Sequence, residues 1–391
     1  MLSVYRERKP SRAHAGGKGP RPKSLVISIN SSWNIVNFRT GLIDAIRREG
    51  WNVVALAPFD HYSSRLIEMG LEFEPLAIDS KSLSPLKDLL LLWRYWQMLR
   101  HIKPEVFLGY TIKPNIYGAW AASLLRIPVI NNVSGLGTAF ISHGVITRIV
   151  LQLYKIAFRQ SRTVFFQNYE DLGFFVERRI VTGEQARLLP GSGVDLAHFS
   201  FTPLPGGNRS VRFLFVGRLL GDKGIREYVK AARLVRARFP QATFAVLGFL
   251  DAANRTAISQ DELQAWVDDG VVEYLGAAED VRPHIERADC VVLPSYREGL
   301  SRALLEAAAM GRPLIATDAP GCRDAVEDGV NGYLCEVRNP DSLADAMNKL
   351  LSISGERRAA LGRESRRIAE ERFDLKIVID RYLQAIRSAV T

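Results

Sequence analysis

The sequence predicts an α/β protein made of two doubly wound domains, each a mostly parallel sheet covered by helices. Three observations carry this. Short apolar runs alternate with amphipathic stretches in both halves, the β-α-β rhythm of a parallel sheet. The chain has 391 residues, enough to bury two cores. A Pro- and Gly-rich break, FTPLPGGN at 201–208, separates the two rhythms.

Composition narrows the class. Apolar residues make up 47%, a value of soluble globular chains rather than of disordered or membrane-embedded ones. Cys290, Cys322 and Cys335 are odd in number and lack metal-ligand spacing, which fits free thiols in a reducing cytoplasm. No apolar run reaches the ~18 residues of a membrane-spanning helix, and Leu89 to Trp93 is cut by Arg94. The N-terminus is polar and basic, with no signal-peptide core. The net charge of +10 is uneven: residues 1–23 carry seven Lys/Arg against one Glu, residues 24–200 eighteen against fourteen, and residues 201–391 twenty-seven of each. A basic N-terminal half fits an anionic partner (nucleic acid, a phosphate-bearing lipid or an acidic membrane face) or serves solubility alone. Residues 1–23 read as a disordered basic leader.

In the first half, Leu25 to Ile29 reads as a strand, Asn30 to Ser32 as a loop, Phe38 to Arg48 as a helix and Trp51 to Ala57 as the next strand. This opening implies a ligand crevice at the strand C-termini. Lys87 to Ile102 reads as an amphipathic helix turning Leu89, Leu92, Trp93, Trp96 and Leu99 to the core. Val106 to Tyr110 is a strand, then TIKPNIYGAWAASLL a loop and helix. Pro128 to Val133 is a strand followed by SGLGTAF, where Gly135 and Gly137 permit a close backbone approach. Ile146 to Arg162 mixes Ile, Leu, Val and Phe with four bases. That suits a helix lying on an anionic membrane, or a core-facing stripe with solvated charges around it.

In the second half, Val211 to Val216 is a strand, GRLLGDKG a Gly-rich turn and Ile225 to Ala237 a helix. Strand, Gly-rich turn, helix is how a fold cradles phosphate. Arg218 and Lys223 can both turn toward one diphosphate, the first as a fork and the second as a point charge. Ala242 to Leu247 and Val272 to Leu275 are further strands. Cys290 to Leu293 is a buried strand broken by Pro294, Ser295 and Gly299. Ser301 then caps a helix, RALLEAAAM, whose mouth suits an anion. Glu298 lies in the loop and Glu306 inside the helix among Ala and Leu, where a charge is expensive unless paired.

These motifs resemble those of the retaining glycosyltransferases of family 4. Gly217, Arg218, Leu219, Lys223 and Gly224 match its G-R-L-x-x-x-K-G turn, and Glu298 and Glu306 match its E-x(7)-E signature. Gly135-Leu136-Gly137 resembles a loop in the branch that adds sugars to polyprenyl-diphosphate-linked acceptors, and PGSGVDLAHF resembles the segment closing the family's first domain. The resemblance implies the GT-B fold, two Rossmann-like domains facing across a cleft. Residues 24–200 would bind the acceptor, 201–208 form the linker and 209–373 bind the nucleotide sugar, most simply a UDP-sugar. The helix at 375–390 would cross back onto the first domain. It further implies that Arg218 and Lys223 stabilise the leaving diphosphate, that Glu298 touches the donor sugar and that Glu306 holds the ribose. Gly217, the Gly299 and Leu300 N–H groups and the backbone at Val281 would complete the donor site, with Gly135 and Gly137 on the acceptor side. The chain departs from the family twice: NSSWNIVNFR lacks the glycine pair common in the first loop, and Thr111 and Lys113 stand where many members have a His. No Asp has another Asp two residues on, so no cofactor and no metal is expected. The expected partners are a nucleotide sugar, a lipid-linked saccharide acceptor and an anionic membrane surface, at the inner face of the cytoplasmic membrane. A sugar-nucleotide epimerase of the same fold is the alternative. A nucleic-acid-binding protein would need stacking aromatics or a recognition motif, and neither is present.

Overall fold

The computed structural model describes residues 23–79, 84–136, 145–206, 210–250, 254 and 256–391. The basic leader apart from Lys23, Gly137, and residues 207 and 208 of the linker lie outside the described residues. Two all-parallel sheets are present. The first has strands β1 (Ser24–Ser28), β2 (Asn52–Ala57), β3 (Glu72–Pro75), β4 (Val106–Tyr110), β5 (Val129–Val133), β6 (Thr163–Phe166) and β7 (Ala186–Leu188). Their order in space is β3-β2-β1-β4-β5-β6-β7. The second has β8 (Arg212–Val216), β9 (Thr243–Leu247), β10 (Glu273–Tyr274), β11 (Cys290–Leu293), β12 (Leu314–Thr317) and β13 (Gly332–Cys335), ordered β10-β9-β8-β11-β12-β13. Every residue of β4, β5 and β11 is buried. Helices cover both sheet faces, so β4 and β11 are apolar runs rather than alternating ones, whereas β5 also buries Asn131 and Asn132, which bond to Asn115 and Tyr382.

Each sheet reverses its winding once, between β1 and β4 and between β8 and β11. Such a switch point opens a crevice at the strand C-termini, where adjacent loops part in opposite directions. The linker is held to the second sheet's domain by Arg312, whose Nη2 donates to the Thr202 carbonyl at 2.7 Å. The last helix, Leu375–Val390, packs on the first sheet: Val378, Tyr382 and Ile386 share a core with β1 and β4, and the Tyr382 hydroxyl accepts from Asn132 Nδ2 at 2.8 Å.

The structure corrects two local expectations. The segment after β1 is not a polar loop leading to one helix. Ser31 caps a helix that already begins at Ser32 (Ser32–Phe38), and a second runs over Thr40–Arg48. The helix Pro85–Ile102 buries Leu91, Tyr95 and Leu99, while Leu89 and Trp93 face outward. Apolar residues spread over well more than one face of that helix, so periodicity leaves its inner face open. Asp88 selects the face, reaching inward to Lys113 Nζ at 2.6 Å and the Tyr117 hydroxyl at 2.9 Å. Lys113 is thereby committed to a buried ion pair under this helix. The basic stretch from Ile146 forms the helix Val145–Phe158, burying Thr147, Tyr154, Ala157 and Phe158 and exposing Ile146, Ile149 and Ile156.

Candidate active site

The second sheet's switch point brings two loops side by side, because β8 pairs with β11 in parallel, Phe215 opposite Val292. From β8 the chain enters the Gly-rich turn. Gly217 donates its N–H to the Leu247 carbonyl at 3.0 Å, and Gly221–Lys223 form a single 3₁₀ turn. Gly224 has φ +74° and precedes the helix Ile225–Arg238; a Cβ there would stand 2.0 Å from the Pro294 carbonyl oxygen. A side chain at this position would drive the two loops apart.

From β11 the chain runs through Pro294 to Leu300 and enters the helix Arg302–Ala309, capped by Ser301 Oγ, which accepts from the Leu304 N–H. The loop is braced from behind: the Glu298 N–H donates to the Pro320 carbonyl at 2.9 Å and the Ser301 N–H to that of Gly321 at 3.1 Å. Glu298 forms an ion pair with Lys223 across the two loops. Both side chains are largely buried, so a pair here is worth more than one on the surface. Arg218 lies exposed in the same turn. Among the described residues, neither the Gly299 nor the Leu300 N–H donates to a protein acceptor. Beside them, the mouth of the Arg302–Ala309 helix adds its partial positive charge.

Glu306 lies one turn deeper and is 8% exposed. Its Oε1 accepts from Arg302 Nε at 2.5 Å, an i, i+4 pair. Burial pushes the Glu306 carboxyl above its ordinary range, and Arg302 opposes that push. His198 and Asp280 are close enough to act on it as well, the first lowering and the second raising. Val281, next along the chain, caps the short helix Arg282–Glu286 and lies half-buried against the second core. Thus Glu306, His198 and the Val281 segment share one end of the crevice.

The first domain meets this loop backbone to backbone. Gly135 has φ +102°, and a Cβ there would stand 2.8 Å from the Gly299 nitrogen. A Cβ on Gly299 would stand 2.5 Å from the Ser134 carbonyl oxygen. Asn168, which caps the helix Tyr169–Glu177, donates from Nδ2 to the Gly299 carbonyl at 2.8 Å. Arg297 reaches across to Asp171 in that helix, a fully buried carboxylate. Burial raises the Asp171 pKa and Arg297 lowers it. Arg302 bridges the domains too, donating from Nη1 to the Asn37 carbonyl at 2.8 Å with its guanidinium 4.7 Å from the Phe38 ring centre.

The structure therefore brings Lys223, Glu298, Gly299, Leu300 and Gly135 together, with Glu306 further along the same helix and Gly217 at the root of the turn. Sequence reasoning missed Asn168, Asp171, Arg297 and Arg302. Arg302 was legible from its i, i+4 spacing to a buried glutamate. The other three pair across more than a hundred residues and leave no periodic trace.

Two family models match the chain. "Glycosyl transferase 4-like" matches residues 26–168 and "Glycosyl transferases group 1" residues 210–352. The chain is a glycosyltransferase of this two-domain family. This glycosyltransferase is 25% identical to the N,N'-diacetylbacillosaminyl-diphospho-undecaprenol alpha-1,3-N-acetylgalactosaminyltransferase of Campylobacter jejuni, across 90% of this chain and 95% of that one. It is 24% identical to the UDP-Gal:alpha-D-GlcNAc-diphosphoundecaprenol alpha-1,3-galactosyltransferase of Escherichia coli, across 68% and 71%. Among solved structures it superposes on Anabaena HepE in complex with UDP, with a TM-score of 0.74 and 18% identity over 94% of this chain and 100% of that one. Sucrose-phosphate synthase from Thermosynechococcus elongatus gives 0.75 and 18% over 94% and 98%. At these identities the structural likeness concerns the fold, which is GT-B.

Proposed function

We propose that this glycosyltransferase moves a sugar from a UDP-sugar to a polyprenyl-diphosphate-linked saccharide during bacterial surface glycan assembly, with retention and without a divalent metal. The observation that carries the reading is the meeting of the Gly-rich turn, the Glu298 loop and the first domain at one crevice, with Lys223 on Glu298 and Gly135 against Gly299. The Campylobacter and Escherichia relatives, named for undecaprenyl-diphosphate-linked acceptors and alpha-1,3 products, support the acceptor class. An α-linked product from an α-linked nucleotide sugar is retention, which supports that stereochemistry.

In this reading the donor diphosphate lies against Lys223 and Arg218, above the free N–H groups of Gly299 and Leu300. Glu306 accepts the ribose hydroxyls, and the backbone at Val281 holds the base. Glu298 turns from Lys223 to a hydroxyl of the donor sugar. Gly135 lines the acceptor side. The acceptor hydroxyl attacks the anomeric carbon on the face that the diphosphate leaves, the carbon–oxygen bond to the β-phosphate breaks, and the departing phosphate takes the acceptor proton. The cations act on charge that grows along this path, so they favour the transition state over the bound donor. Turnover takes place at the inner face of the cytoplasmic membrane, where the basic leader and the Val145–Phe158 helix meet anionic lipid.

The test is a panel of UDP-sugars with lipid-linked saccharides extracted from membranes, followed by assignment of the new anomeric centre by NMR. An α-linked lipid-bound product supports the reading. Release of free sugar alone, or a β-linked product, overturns it.

A further inference from the structure

The helix Pro85–Ile102 presents a surface that the core does not explain. Leu86 is 81% exposed, Leu89 64% and Trp93 51%, with Leu90 beside them. With Leu92, Trp96 and Leu124 of the neighbouring helix Ala119–Leu124, they line an open groove of about 630 Å³. Soluble proteins rarely leave so many large apolar side chains together in water. The helix Val145–Phe158 packs on the other side of Ala119–Leu124 and turns Ile149 and Ile156 outward. One helical layer over the first sheet thus carries the whole apolar strip.

Its charges are predominantly basic. Between Leu89 and Tyr169, nine Lys/Arg stand against a single acid, Glu105. Arg94, Arg100, Arg148, Lys155 and Arg159 are exposed on this layer. Asp88, the helix's own acid, is turned inward to Lys113 and Tyr117, and Asp79 and Lys87 pair with each other at the helix start. Arg100 stacks over Trp96 at 5.0 Å.

We propose that the outer face of Pro85–Ile102, continued by Leu124, Ile149 and Ile156, is the surface by which this protein lies on an anionic bilayer. Leucine and tryptophan flanked by bases is the composition of interfacial helices, whose apolar side enters the acyl boundary while the bases meet lipid phosphates. A second copy of the chain fits poorly, because it would set one basic rim against another. No described helix is long and apolar enough to cross a membrane, so the contact is tangential. The inference extends the membrane placement proposed above, yet lipid binding needs no turnover and is measured separately.

The test uses the full chain in flotation with phosphatidylcholine vesicles, with and without phosphatidylglycerol. The wild type binds the anionic vesicles, and salt weakens that binding. The exposed-site variant L86S/L89S/W93S folds with an unchanged Tm and binds at least about tenfold more weakly. It keeps wild-type turnover on a short, water-soluble acceptor analogue and loses turnover on full-length acceptor in membranes. R148Q/K155Q loses the preference for anionic lipid while keeping the apolar contribution. Wild-type flotation by the triple variant overturns the proposal. So does a loss of dimer in light scattering with flotation unchanged, which assigns the face to a second copy. If no acceptor is ever glycosylated but the flotation results hold, the proposed reaction falls and this surface stands.

Discussion

Glu306→Gln separates the cost of burying a carboxylate from its use. The carboxylate is 8% exposed and, among the described residues, accepts one hydrogen bond, from Arg302. Its pKa is raised because burial outweighs that partner. A carboxyl whose folded pKa lies above its unfolded value contributes stability below the unfolded value, and that contribution is lost as pH rises through the folded one. At neutral pH the charge is therefore a burden on the fold, and the amide removes it. Arg302 keeps the Asn37 carbonyl and the Phe38 ring, so it is not stranded. The Gln variant should match or exceed wild-type Tm at neutral pH. Wild type should gain on it as pH falls from the raised pKa toward the ordinary carboxylate range. Nucleotide binding should move the other way. A charge-assisted hydrogen bond from a ribose hydroxyl is worth roughly 1.5–3 kcal/mol, so UDP should bind about 10- to 100-fold more weakly by the 1.36 kcal/mol per decade rule. Calorimetry with UDP and thermal melts across pH read both effects on one preparation. Equal UDP affinity in variant and wild type would refute the ribose role, whatever the melts show.

Other outcomes follow from the same geometry. Lys223→Ala should lower kcat/KM by at least about tenfold in a steady-state assay, and Arg218→Lys should also lose activity through the lost fork. Glu298→Gln should impair transfer more than UDP affinity when kinetics and calorimetry are compared. Gly135→Ala places a Cβ against the Gly299 nitrogen in a strained backbone region, so transfer should fail while UDP still binds the second domain. Turnover should survive excess EDTA; loss in EDTA with rescue by Mg²⁺ or Mn²⁺ would send the search to carboxylates gathered by the fold.

What was legible in the sequence depends on the range of the interaction. Strands β4 and β11 are buried on both faces and stand out as apolar runs. The Gly-rich turn and the Ser301 cap are local geometries, each written in a few neighbouring residues. The inner face of Pro85–Ile102 was not legible, because its apolar residues spread well beyond one face and its orientation rests on Asp88 meeting Lys113, 25 residues away. The same holds for the domain junction. Asn168 bonding the Gly299 carbonyl and Arg297 reaching Asp171 involve single residues with no repeat to reveal them. Periodicity reports what a helix or strand does on average. It does not report a single cross-chain bond that decides between two permitted faces.

The ion pairs at the site also explain why its two glutamates sit where they do. Lys223 and Arg302 are both mostly removed from water, and an unpaired buried cation is costly. Each is neutralised by one glutamate: Glu298 across two loops, Glu306 one turn along its own helix. The two pairs differ in what an anion can do to them. Arg302 is also held by the Asn37 carbonyl and by Phe38, so it can keep Glu306 oriented while that carboxylate accepts hydroxyls from above. No hydrogen bond other than the one to Glu298 is found for the Lys223 ammonium among the described residues, so in the proposed function an arriving diphosphate would compete with Glu298 for it. In the proposed function, that exchange releases Glu298 beside the donor sugar at the moment its cation is taken. One glutamate is then a fixed acceptor and the other is freed by the substrate itself. The two side-chain pairs thereby couple donor binding to assembly of the sugar site, and a Lys223→Ala, Glu298→Gln double variant should lose less than the sum of the single losses.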